Sequence, residues 1–156
     1  MYLHMIKFLL LVAVILVCGF VGYILNLYYK TRIDIYEDVL RMCNTFKSEI
    51  YFLQTDFKTL LSNFSAGKTT SAITQEYLKG ERVSSVFLKP KESGDLTEFF
   101  SSIGKHDVDG EIKNLTYWEG VFKLKRDAVK DFYDKYGVMI LKLSIIVGSM
   151  LAIILI

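Results

Sequence analysis

The sequence contains few of the residues that usually build a metal site, a disulfide framework or a sharp backbone turn. Among its 156 residues there are two cysteines, two histidines and one proline. Cys18 lies in an apolar run and Cys43 in the polar middle, so we predict two unpaired thiols that act as small buried hydrophobes. His4 and His106 lie about a hundred residues apart in different surroundings, which argues against a histidine metal site or a catalytic triad.

Charge is almost absent from the N-terminal end of the chain. All 17 acidic residues and 17 of the 19 lysines and arginines lie between residues 30 and 135. Residues 8–29 form a run of 22 residues without a charge, which rises roughly 33 Å as a helix and suffices for a ~30 Å hydrocarbon core. We therefore predict a transmembrane helix at residues 6–29.

The same run has two features of a cleaved signal sequence. Lys7 precedes it, and residues 15–18 loosely resemble a lipoprotein cleavage box. Hydrophobicity continues beyond Cys18, however, and Val17 is bulky where processing prefers a small residue. We expect the segment to be retained as a membrane span.

The C-terminal end is the second apolar run. Residues 137–156 carry one charge, Lys142, whose ammonium can reach lipid headgroups from one to two turns inside the span. Residues 144–156 are apolar on every face, which disfavours a helix buried in a soluble core. We predict a second transmembrane helix at residues 137–156.

Basic residues flank the inner ends of both runs. Lys30 and Arg32 follow the first, and five more precede the second: Lys123, Lys125, Arg126, Lys130 and Lys135. By the positive-inside rule, the domain at residues 30–136 is predicted to be cytosolic, with both termini outside the cell membrane. Because topology accounts for these charges, we expect the lipid bilayer, and not nucleic acid, as a partner.

Apolar residues between the two runs recur with helical spacing. Across residues 36–64 they alternate steps of three and four, with Thr55 or Asp56 able to cap a new helix partway. A shorter helix is predicted at residues 70–79, and Gly80 is expected to end it.

A loop is predicted at residues 84–94, followed by a helix that Asp95 opens with Glu98 in a capping box. The last helix is predicted to begin near Asp107, to pair Glu119 with Lys123 on its outer face, and to continue into the second span. The fold class is therefore all-α: a membrane-anchored helical bundle with N- and C-terminal transmembrane helices.

Two segments resemble ligand-binding loops only in part. Residues 62–69 end like a phosphate-binding loop, but Ser62 stands where the first glycine is needed and no buried strand precedes it. We interpret this segment as a turn that ends a helix. The acidic residues at 107–111 suggest a calcium loop, yet Ile112 occupies the glycine position of such loops.

No convergent set of catalytic residues can be assembled from the sequence. We therefore predict no enzyme activity, no cofactor, no metal and no small-molecule substrate. Interaction or assembly is the expected role.

Three regions of the sequence carry a family resemblance: Tyr29-Lys30-Thr31-Arg32 with the helix that runs to Ile50, the segment Ile103-Gly104-Lys105-His106-Asp107, and Lys135-Tyr136-Gly137 with the apolar tail. With these regions the chain resembles the stage III sporulation protein AB family of endospore-forming bacteria. The tail is the most specific match, because the family ends on such a segment.

The resemblance implies a component of the multiprotein channel that joins mother cell and forespore. Its cytosolic domain would be similar to those of the type II secretion and type IV pilus platform protein. It would dock a cytosolic secretion-type ATPase and other membrane subunits of the sporulation channel, in the mother-cell membrane around the forespore. Candidate partner-contact residues are Gly104, Asp107 and Glu111, at the junction of a loop and the last helix.

Two other interpretations remain open. The three junction residues could merely cap the last helix. The protein could also be a generic two-span membrane scaffold or signalling protein whose cytosolic bundle recruits a regulator, with no secretion ATPase involved.

Overall fold

The computed structural model describes the backbone of residues 2–53, 57–64, 66–81 and 83–154, and the side chains of 9–50, 59–64, 66–81 and 83–154. Over these ranges the chain forms helices and no strand. The helices are α1 (Tyr2–Leu53), α2 (Phe57–Asn63), α3 (Lys68–Leu78), α4 (Pro90–Ser102) and α5 (Val108–Ile154). The all-α prediction is confirmed.

The chain divides into two compact units. The apolar unit comprises Met1–Lys30 and Lys130–Ile156, and the polar unit comprises Thr31–Val129. Helices α1 and α5 each supply residues to both units. Both helices are long and apolar enough to cross a membrane. Where the bilayer begins and ends along them stays a prediction.

In the apolar unit, α1 and α5 run antiparallel and meet through small residues. A Cβ atom added to Gly22 would lie 2.5 Å from the Ser144 hydroxyl, and one added to Gly148 would lie 2.8 Å from Cys18 Cβ. The two backbones can approach closely because these positions lack bulk, as is common between helices in lipid. Large apolar side chains on the outer faces remain exposed, as hydrocarbon surroundings require.

One polar contact joins the same two helices. Asn26 Nδ2 donates a hydrogen bond to the carbonyl oxygen of Gly137 at 2.9 Å. Close by in the chain, the rings of Tyr29 and Phe132 lie 5.0 Å apart. Asn26, in the first apolar run, therefore helps to hold the two helices together.

In the polar unit, α1 is the central helix. The apolar residues predicted to be buried from their helical spacing are buried over the described part of α1. Residues on a neighbouring face of α1, which that spacing does not include, are buried as well. The buried apolar residues of this part of α1 are Ile33, Ile35, Tyr36, Val39, Leu40, Met42, Cys43, Phe46 and Ile50. This helix is buried on more than one side because other helices of the unit cover it.

An aromatic cluster joins α4 and α5 in the core. The Phe99 ring packs edge-on against Phe122 at 5.4 Å and against Trp118 at 6.0 Å. Tyr36 of α1 extends the cluster, with its ring centroid 6.3 Å from that of Phe122. Such rings contribute large apolar area together with preferred edge-to-face geometry.

The prediction for the start of α4 was wrong. The helix begins at Pro90, inside the segment expected to be a loop. Proline fits the first helical position because it lacks the N–H that would have no partner there. Glu92 supplies the capping box by accepting a hydrogen bond from the Lys89 N–H at 2.9 Å. Asp95, expected to open the helix, instead forms an ion pair with Lys125 of α5.

The segment that resembles a phosphate loop connects two helices, as predicted. Asp38 of α1 accepts hydrogen bonds from the Gly67 N–H at 2.9 Å and from Thr70 Oγ1 at 2.8 Å. A carboxylate of the same chain thus occupies the N-terminal end of α3. At its other end α3 is followed by Gly80, whose φ of +79° is the left-handed conformation that favours glycine.

Helix α5 begins one residue after the predicted start and continues into the second apolar run, as expected. In its first turn Glu111 is buried and Val108 is exposed. One detail differs from the prediction: Glu119 forms an ion pair with Lys47 of α1 rather than with Lys123. The predicted caps Thr55 and Asp56 lie outside the described residues.

We predict that Gly148→Val separates the helices of the apolar unit, because the new side chain would meet Cys18 and the Ile15 backbone, whose Cα lies 3.3 Å from a Cβ added at this glycine. The full-length protein in detergent should lose about 1–3 kcal/mol of stability, measured by denaturant titration followed by circular dichroism. The matched control is Gly19→Val, since nothing lies within 4 Å of that position. Equal losses in both variants would contradict the described packing.

Candidate functional site

A buried ion pair ties α1 to the first turn of α4. The Arg32 guanidinium donates to Glu92 Oε1, and both side chains are largely shielded from solvent. Glu92 also accepts from the Lys89 backbone, so one carboxylate both pairs the arginine and caps the helix. Two polar atoms beside this pair, Arg32 Nε and the Tyr36 hydroxyl, are buried without a hydrogen-bond partner in the described part of the chain.

Burial sets the protonation states of this group. Burial alone lowers the pKa of Arg32, but the bonded Glu92 outweighs it and the net shift is upward. Burial and the nearby Glu92 charge raise the pKa of Tyr36 well above its usual range. At neutral pH the arginine is therefore charged and the phenol neutral, which suits a permanent structural contact.

The α4–α5 junction contains the three predicted contact residues. Gly104 lies exposed in the turn with a φ of +79°, which a side chain would strain. Asp107 is also exposed, and its Oδ1 accepts a hydrogen bond from the Gly110 N–H at 3.2 Å. It therefore caps α5, as the alternative interpretation expected, while remaining on the surface.

Glu111 differs from these two residues because it faces the interior. Its side chain is only 3% exposed, and neither carboxylate oxygen has a hydrogen-bond partner among the described residues. It lies one helical turn before Leu115, on the buried face of α5. An unpaired buried carboxylate costs free energy, so this position weakens the fold locally.

A serine beneath the junction fixes the end of α4 to α5. The Ser102 hydroxyl accepts hydrogen bonds from Asn114 Nδ2 and from Trp118 Nε1, both at 3.0 Å. It also donates to the Phe99 carbonyl at 2.8 Å. The Ser102 hydroxyl thus uses its donor and both of its acceptor sites. These hydrogen bonds hold the end of α4, just before the turn at Gly104, against α5.

The outer face of α5 carries a second apolar stripe, which we call the α5 outer face: Tyr117, Val121 and Leu124. The spacing of four and then three residues places them on one side of the helix, away from the core positions. Tyr117 is 64% exposed and Leu124 is 74% exposed. Gly120, with nothing within 4 Å of a Cβ added there, leaves the helix surface open beside them.

A family model for stage III sporulation protein AB matches residues 65–156, which is more than half of the chain. The chain belongs to the stage III sporulation protein AB family. The match covers the junction, all of α4 and α5, and the second apolar run. No curated protein and no solved structure gives a significant match.

Membership indicates a sporulation protein, and the two long apolar helices of the chain suggest association with a membrane. In the part of the chain that the structure describes, no group of three or more His, Cys, Asp or Glu side chains could hold a metal ion. The partner-facing role of Gly104, Asp107 and Glu111 stays a prediction.

Some functional features of this family member could have been found from sequence. Tyr117, Val121 and Leu124 are the apolar residues left over after the core stripe of α5 is assigned, and their own helical spacing marks a second face. The Arg32–Glu92 pair could not, because 60 residues separate its members and nothing local connects them.

We expect Glu111→Gln to stabilise the full-length protein by about 1–3 kcal/mol, because an amide of the same shape costs less to bury without a partner than a carboxylate does. Denaturant titration in detergent measures the change. Asp109→Asn, at an exposed position in the same turn, is the control and should change stability by less than about 1 kcal/mol. A loss of stability in Glu111→Gln would show that the carboxylate is satisfied.

Stability should also fall at alkaline pH through Cys43. Burial raises the pKa of its thiol from 9.0 to about 12, so between these values the unfolded chain loses a proton that the folded chain keeps. From pH 8 to 10.5, the wild type should lose roughly 2 kcal/mol more stability than Cys43→Ala. Parallel curves for the two proteins, in denaturant titrations at both pH values, would contradict this assignment.

Proposed function

We propose that this protein is a non-enzymatic membrane component of the channel complex between mother cell and forespore, and that it docks a cytosolic secretion-type ATPase. The polar unit lies in the cytosol and both termini lie outside, in the mother-cell membrane around the forespore. Nucleotide hydrolysis belongs to the ATPase, and this chain links the ATPase to the other membrane subunits.

Family membership and the charge distribution support the location. The family is one of sporulation proteins, and the chain has two long apolar helices. In the apolar unit these helices run antiparallel, as two spans joined by a domain on one side of the membrane would. The basic residues flanking the inner ends of both runs favour the cytosol for that domain.

The observation that carries the docking proposal is the α5 outer face. Two large apolar side chains, Tyr117 and Leu124, are exposed on a helix whose opposite face is packed in the core. Aromatic and aliphatic anchors of this kind are typical of the centre of protein–protein interfaces. Exposed Lys113 and Lys123 border the face, which favours a partner surface with acidic residues at its rim.

The rest of the polar unit holds this helix rigidly. Lys47 of α1 pairs with Glu119, and Asp95 of α4 pairs with Lys125. Phe122 lies between Tyr36 and Phe99 in the core. A face fixed in this way loses little conformational entropy when a partner binds. Gly104 and Asp107, exposed at the start of α5, would extend the contact toward the junction.

The double variant Tyr117→Asp with Leu124→Asp should weaken binding of the full-length protein to the cell's secretion-type ATPase at least tenfold, because two anchors become charged. Calorimetry in detergent with purified ATPase measures the affinity. The control Asn44→Asp places one new carboxylate on an exposed position of α1 and should bind like the wild type. Circular dichroism checks that all variants are folded.

The outcomes separate the proposal from a generic membrane scaffold. Saturable binding by the wild type with loss in the double variant supports docking through the α5 outer face. Saturable binding that the double variant retains supports docking but contradicts the proposed face. No binding by the folded wild type contradicts the docking role and favours a scaffold that recruits another regulator.

A further inference from the structure

Lys142 lies inside the second apolar run on the side of α5 that faces away from α1. Helix α1 contacts Leu141, Ser144 and Gly148 of α5. At about 100° per residue, Lys142 points roughly 100–160° away from each of these contacts. Its side chain is exposed, so α1 does not shield it.

The side chains around Lys142 form an apolar patch. Its neighbours three and four residues away on the helix surface are Val138, Met139, Ile145 and Ile146, and each is about half exposed or more. Among the described residues Lys142 takes part in no ion pair. A cation in such surroundings requires a counter-charge from outside the described chain.

The charges that precede Lys142 on α5 in the apolar unit balance one another, so they supply no spare anion for it. Lys130 and Lys135 precede Lys142 on α5, and Lys135 lies on nearly the same side, two turns earlier. Asp131 and Asp134 are the acidic residues on this stretch, and neither forms an ion pair with any residue that the structure describes. Lys130 and Lys135 thus balance Asp131 and Asp134, and Lys142 is the one net positive charge of residues 130–142, at a depth from which it can reach lipid phosphates.

From these observations we infer that Lys142 and its apolar neighbours form a binding site for an anionic phospholipid. The ammonium pairs with the headgroup phosphate, and the acyl chains lie along Ile145 and Ile146. Lys142 lies about 7.5 Å beyond Gly137 along the helix axis. From this depth a lysine side chain can reach the level of the lipid headgroups. This site is independent of the docking role proposed above.

Native mass spectrometry tests the site on the full-length protein in detergent. The protein is titrated separately with phosphatidylglycerol and with phosphatidylcholine of the same acyl chains. The wild type should bind the anionic lipid about fivefold more tightly or better. Lys142→Gln should reduce this preference to nearly one, and Lys142→Arg should retain it. Lys123→Gln, at an exposed lysine of the polar unit, is the matched control and should behave like the wild type.

A wild type that binds the two lipids equally would overturn the site and leave a carboxylate of another membrane helix as the counter-charge. A preference that persists in Lys142→Gln would also overturn it, because other lysines would then carry the selectivity. Circular dichroism confirms that each variant remains helical.

Discussion

The ion pair between Arg32 and Glu92 is the contact on which the arrangement of the polar unit depends. Two charged side chains are largely removed from water, and their desolvation is offset by the contact between them. Glu92 also caps α4 through the Lys89 backbone, so the pair fixes both the position of α4 and its first residue. Truncating one member would leave the other buried and charged. Apolar contacts alone would fix the position of α4 along α1 less precisely than this ion pair does, because apolar contacts are not directional.

Other contacts of the polar unit hold α5 against α1 and α4. Lys47 and Asp95 each hold α5 through an ion pair, and Ser102 fixes its first turns by accepting two hydrogen bonds. The aromatic cluster fills the space between these polar ties. The outcome is a helix with one face locked in the core and the other presenting Tyr117 and Leu124 to solvent. A partner that engages this face would meet a surface already in place.

Much of the fold follows from sequence periodicity, and the exceptions have physical causes. The low charge of the two ends predicts both apolar helices, and the spacing of apolar residues predicts α5 with an error of one residue at its start. The start of α4 was placed too late because Asp95 with Glu98 also fits a capping box, whereas Pro90 and Glu92 begin the helix through capping. Glu111 was expected on a partner-facing surface because it lies at the junction of a loop and α5, but its position on the helix turns it inward. Contacts between distant residues, such as Asp38 with Gly67 or Arg32 with Glu92, leave no local signal.

A double-mutant cycle on Arg32 and Glu92 tests most directly whether the buried pair organises the polar unit. Arg32→Met removes the cation and keeps a long apolar chain, while Glu92→Gln removes the anion and keeps an acceptor for the Lys89 backbone. Unfolding free energies of the full-length protein in detergent give the four corners of the cycle. We expect each single variant to lose about 3–5 kcal/mol and the double variant to lose at least about 2 kcal/mol less than the sum. Losses that add to within about 0.5 kcal/mol would show that the two charges act independently, and would contradict the organising role of the pair.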